Sequence, residues 1–77
     1  MSEIIGKILN ELERAETIHP DWPCDVIHQA AIVCEESGEM LREALHVEYE
    51  GACKTELKNE LIQTAAMCLR MLMNLKD

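Results

Sequence analysis

The sequence predicts an all-α fold with three helices per chain, completed by oligomerisation. Three observations predict it. Apolar residues recur at helical spacing along three segments. No alternating β-branched run appears anywhere, so strand signals are lacking. The third segment is apolar around most of its circumference, which two short partners in one monomer cannot cover.

The first helix is expected from about Ser2 to Thr17. Ser2 is placed to cap it, with Glu3 in the first turn, where the helix dipole favours an anion. Ile4, Ile5, Ile8, Leu9, Leu12 and Ala15 form one apolar stripe. His19-Pro20-Asp21-Trp22-Pro23 breaks the pattern, because each proline biases its predecessor away from helix. Trp22 reads as a packing staple at a helix start, or as a stacking face for a nucleobase.

The second helix is expected from about Pro23, a residue suited to a first turn, to about Glu48. Val26, Ile27, Ala30, Val33, Cys34, Leu41, Ala44 and Leu45 share one side. Gly51 marks its end. The third helix starts at Thr55 or Ala52 and ends near Leu75. Its apolar residues run from Leu57 through Leu61, Ile62, Ala65 and Leu69 to Leu72, with Met67, Met71 and Met73 as core filler.

The 77 residues make one domain, 1–77, near the lower size limit for a chain that folds alone. A core this small rarely supplies more than about 3–5 kcal/mol, so self-association is the expected extra source of stability. The net charge of −8 repels phosphates and anionic lipid, which argues against nucleic-acid and membrane partners. No apolar run approaches the ~18 residues needed to span a bilayer. The N-terminus lacks a basic region followed by an apolar run, and Cys24, Cys34, Cys53 and Cys68 show no CxxC spacing. They read as small reduced core residues of a cytoplasmic protein.

Opposite the apolar stripe of the second helix lie Asp25, His28, Ile32, Glu36, Glu39 and Glu43, with Glu35 at the edge. Glu36 and Glu39 are i,i+3 neighbours, about 5–6 Å apart at Cβ. Crowded carboxylates repel on a free surface, and Ile32 in their midst implies that the stripe is partly covered. The third helix carries a narrow polar stripe of Glu56, Glu60, Gln63, Arg70 and Asn74. If the two helices pack antiparallel, these stripes face each other. Their oxygen ligands then suit Mg²⁺ or Mn²⁺.

Glu35-Glu36-Ser37-Gly38-Glu39 followed by Glu60-Leu61-Ile62-Gln63 resembles the EExxE…ExxD pattern of the MazG-like all-α nucleoside triphosphate pyrophosphohydrolases. The resemblance covers about Asp25 to Leu75. It implies Mg²⁺-dependent hydrolysis of a (d)NTP to the monophosphate and pyrophosphate by a homodimer or homotetramer. Glu36, Glu39 and Glu60 match the family's metal ligands. Gln63 stands where the family has Asp; its amide oxygen can coordinate a cation but adds no charge, and Glu56 one turn earlier could compensate. Glu35 is the candidate catalytic base. His28, Arg70 and Asn74, on the polar stripes, are the candidate substrate contacts. The alternative is a non-catalytic oligomeric helical protein with a degenerate metal or nucleotide site.

Overall fold

A computed structural model describes residues 1–76. It contains three helices, α1 (Ser2–Ile18), α2 (Val26–Glu50) and α3 (Thr55–Asn74), and no strand among the described residues. α3 is the central element: α2 and α1 each pack against it. No helix of the described residues is long and apolar enough to cross a membrane.

α1 starts at Ser2 as expected but is capped differently, and local chemistry moves the start of α2. Met1, not Ser2, occupies the N-cap of α1, and its carbonyl accepts the first helical hydrogen bond from Ile5 N at 3.0 Å. Ser2 is thereby already inside the helix and makes no cap. α2 starts at Val26 rather than Pro23, because the Asp25 carboxylate accepts the His28 backbone N–H at 3.0 Å and fixes the cap there. At the other end Gly51 takes a left-handed conformation (φ 69°), and Ala52 N donates back to His46 O at 3.2 Å. This closure satisfies carbonyls that the helix end leaves free.

The core is small. Leu12 and Ala15 of α1 meet Ala66 and Met67 of α3, with Ile8, Trp22, Ile32, Val33 and Leu69 packed around them. Ala66 is fully buried (0% exposed), and a methyl side chain there lets the helices approach closely. Arg70 is also buried, at 4% exposure. Its Nη2 donates to His19 O at 2.6 Å, and its guanidinium lies 4.7 Å from the centre of the Trp22 ring. One side chain of α3 thus caps the end of α1 and holds the connection to α2. The planar fork and apolar stem of arginine suit both tasks.

Much of the apolar surface expected in the core faces outward in the single chain. On α2, Ile27 is 77% exposed, and Leu41 and Leu45 are exposed as well. On α3, Leu61, Leu72 and Met73 are exposed, so Met73 is not core filler. All four cysteines are exposed free thiols, which corrects their reading as core residues. For α2 the physical reason is that it turns its acidic stripe toward α3 and leaves Ile27, Leu41 and Leu45 on the outside.

Candidate metal centre

Asp25, Gln29, Ile32, Glu36, Glu39 and Glu43 recur at three- and four-residue steps, and so lie along one side of α2. Gln29 is buried; Ile32, Glu36, Glu39 and Glu43 are half-buried. Glu60, two turns into α3, reaches the same space. One carboxylate oxygen from each of Glu36, Glu39 and Glu60 lies within 4.8 Å of the others. Glu36 Oε2 and Glu60 Oε2 are buried and have no hydrogen-bond partner. A buried carboxylate oxygen without a partner is costly, and more so beside others of its charge.

The electrostatics follow from that crowding. Burial pushes the Glu36 carboxyl above the usual carboxylate range, helped by repulsion from Glu39, Glu60, Glu35 and Glu11. Burial raises Glu60 too, followed by repulsion from Glu39, a hydrogen bond with the Glu39 carboxyl, and repulsion from Glu43 and Glu56. Without a cation the cluster therefore holds protons more tightly than isolated glutamates do.

The donor set fits a hard divalent cation. Oxygens on an octahedron of Mg²⁺ dimensions are roughly 3 Å apart when adjacent and roughly 4.2 Å apart when opposite. Three oxygens within 4.8 Å of one another are on that scale. No sulfur or imidazole competes in the cluster, which favours Mg²⁺ or Mn²⁺ over softer metals.

The other sequence candidates are distributed differently. Glu35 is exposed, on the solvent side of Glu36. Gln63, one turn after Glu60, is half-buried and lines a cavity of about 260 Å³ together with Glu11, Arg14, Trp22, Glu36 and Arg70. Glu36 is thus common to the acidic cluster and to this cavity. Arg70 is in its wall, already engaged by His19 O and Trp22. Asn74 uses its Nδ2 to donate to Arg70 O at 2.7 Å. His28 is exposed near the start of α2 and is not among the walls of this cavity.

Sequence reasoning missed three contributors, Glu11, Arg14 and Gln29, and gave Glu43 a place on the acidic stripe without its partner. Glu11 and Arg14 come from α1, where Glu11 accepts two hydrogen bonds from the Arg14 guanidinium at 2.8 and 2.7 Å. Nothing local marks them, since a contact between α1 and the α2–α3 pair is long-range. Glu43 has a half-buried carboxylate held 3.4 Å from His46 Nδ1, and His46 Nε2 lies 3.3 Å from Glu50. Gln29 had a readable signal: it lies seven residues before Glu36, in the same helical phase. No protein-family model, curated protein or solved structure matches the chain.

Proposed function

We propose that the chain is a Mg²⁺-dependent nucleoside triphosphate pyrophosphohydrolase of the MazG-like kind, acting as a homo-oligomer. The observation that carries this is the convergence of Glu36, Glu39 and Glu60, which includes two buried, unpartnered carboxylate oxygens. The EExxE and ExxQ spacing supports it from the sequence.

In this reading Glu36, Glu39 and Glu60 hold the cation, which supplies charge neutralisation on phosphate oxygens and a lowered pKa for bound water. Glu36 and Glu39 come from consecutive turns of one helix and Glu60 from the facing helix, so closing the site needs no loop movement. Glu35, exposed beside Glu36, takes a proton from the attacking water. Attack falls on the phosphorus nearest the sugar, and the bond to the bridging oxygen breaks, giving the monophosphate and pyrophosphate. Gln63, in the cavity wall, offers an amide to either cation or phosphate.

The outward apolar faces of α2 and α3 support a second copy as their cover. Ile27, Leu41 and Leu45 on one helix and Leu61 and Leu72 on the other are too many large side chains to leave in water on a chain this small. Four free thiols suit a reducing cytoplasmic setting. The neutral Gln63 favours a second reading, in which the oligomer keeps the site but has lost catalysis.

The test is a panel of ribo- and deoxyribonucleoside triphosphates with Mg²⁺, assayed for pyrophosphate. Pyrophosphate from at least one nucleotide, lost in Glu39→Gln, is the expected result. No release from any nucleotide overturns the enzymatic reading.

A further inference from the structure

Two exposed stripes run along the helices at seven-residue steps. Ile27, Cys34, Leu41 and Glu48 form one on α2, on the side away from Glu36. Lys54, Leu61, Cys68 and Leu75 form the other, beginning at the N-cap of α3, on the side away from Arg70. Leu45 and Leu72 adjoin them, also exposed. A seven-residue apolar repeat is the seam of a left-handed helical bundle. Within one chain neither seam has a partner.

Each stripe ends in one charge, and the two charges are opposite. Glu48 lies in the last turn of α2, where the helix dipole disfavours an anion. Lys54 lies at the start of α3, where the dipole disfavours a cation. Neither forms an ion pair among the described residues. Both sit at the same end of the molecule, because α2 and α3 are antiparallel: Glu39 meets Glu60, and Ile32 shares a cavity with Met67 and Arg70. The exposed area points the same way. The chain exposes 5771 Å². A compact monomer of its mass exposes about 4,800 Å². The excess of about 1,000 Å² is on the scale of one side of a stable interface, about 800 Å².

We propose that two copies of the chain pair about a two-fold axis parallel to their helices, so that the outer stripe of α2 in each lies on the outer stripe of α3 in the other. Such an axis keeps every residue at its own height. Glu48 then meets Lys54 of the partner subunit, and the contact occurs twice. Cys34, between Ile32 and Glu36 in sequence, comes within about one turn of the height of Cys68 of the partner subunit. A two-fold axis across the helices instead stacks α2 on α2 and α3 on α3. Lys54 then faces the Leu72 end of an identical stripe, which carries no acid among the described residues. The charges therefore select the parallel axis. The acidic cluster lies on the opposite side of α2 and stays open. The proposal rests on the oligomeric half of the reading above and is independent of the enzymatic half.

The native thiols test the arrangement. The full chain carries Cys24→Ser and Cys53→Ser, which leaves Cys34 and Cys68. A short bifunctional thiol reagent is added, and covalent dimer is read on a denaturing gel. The expected result is a covalent dimer linked from Cys34 to Cys68, identified by peptide mass. Adding Cys34→Ser or Cys68→Ser abolishes it, and mixing those two variants restores it. Sedimentation equilibrium supplies the second readout. Glu48→Lys and Lys54→Glu, both on exposed residues, each weaken the dimer at least about tenfold, because each change acts at two symmetry-related pairs. The double variant recovers the affinity. Melting curves establish that every variant is folded. A monomer at micromolar concentration overturns both the proposal and the oligomeric reading. An oligomer whose thiols link like to like, or give no covalent dimer, keeps the oligomer and overturns this arrangement. So does a double variant as weak as the single ones. Pyrophosphate release enters none of these outcomes, so failure of the enzymatic reading is told apart from failure here.

Discussion

At the scale of single residues, the protein sets destabilising side chains in a small interior. Glu36 and Glu60 both have carboxyl groups raised above their ordinary range, by burial first and by neighbouring acids second. The linkage has a definite sign. A carboxyl raised in the folded state binds its proton more tightly there, so its stabilising contribution is full below the unfolded value, about 4.3. That contribution is lost as pH rises through the raised folded value. In EDTA, the wild type is therefore expected to lose melting temperature as pH rises from about 4 toward 7. Glu36→Gln removes one of these charges and is expected to melt higher than wild type at pH 7 and to show a flatter profile. Parallel pH profiles for the two proteins would exclude this account of Glu36. The acids themselves were legible in the sequence, because i,i+3 spacing fixes which side of a helix they share. The second role of Arg70 was not: its hydrogen bond to His19 O spans 51 residues, and no local pattern encodes such a contact.

At the scale of elements, three helices and their order follow from apolar periodicity and the two prolines. The precise start of α2 does not, because Pro23 and Asp25 are both good starting residues and only the cap geometry decides between them. The end of α2 is set by Gly51, whose positive φ costs any other L-residue. Gly51→Ala meets no steric neighbour, so its cost is backbone strain alone. It is expected to destabilise the chain by about 1–2 kcal/mol in denaturant titrations, with little change in metal affinity. An unchanged midpoint would contradict the left-handed cap. The orientation of α2 was only half legible. Periodicity separates an acidic side from an apolar side, but it does not say which one faces the neighbouring helix. The acidic side does, because Ile32 within it and Val33 next to it pack against the core while Ile27, Leu41 and Leu45 are exposed.

At the scale of the whole molecule, a chain of −8 net charge measures 42 × 28 × 22 Å and leaves large apolar side chains on all three helices. Its cysteines report on what covers them. Cys34 lies in helical phase with Ile27 and Leu41, and Cys68 with Leu61 and Leu75. Cys24 and Cys53 sit in the connections before α2 and α3. Hydrogen bonding with the Thr55 backbone and side chain lowers the Cys53 thiol below its ordinary range. A thiol reagent on the native protein is therefore expected to label Cys53 fastest and Cys24 readily, with Cys34 and Cys68 protected by a second copy. Light scattering is expected to give a mass well above 8.8 kDa. Four equally reactive thiols on a particle of monomer mass would contradict the oligomer.

The central claim is that Glu36, Glu39 and Glu60 form one divalent-cation site, and thermal melting with and without cation tests it most directly. A cation that binds only the folded state adds about 2.7 kcal/mol at a hundredfold excess over its Kd. Millimolar Mg²⁺ or Mn²⁺ is expected to raise the melting temperature of the wild type and to leave Glu39→Gln unmoved. An equal rise in both proteins, or none in either, would contradict the assignment.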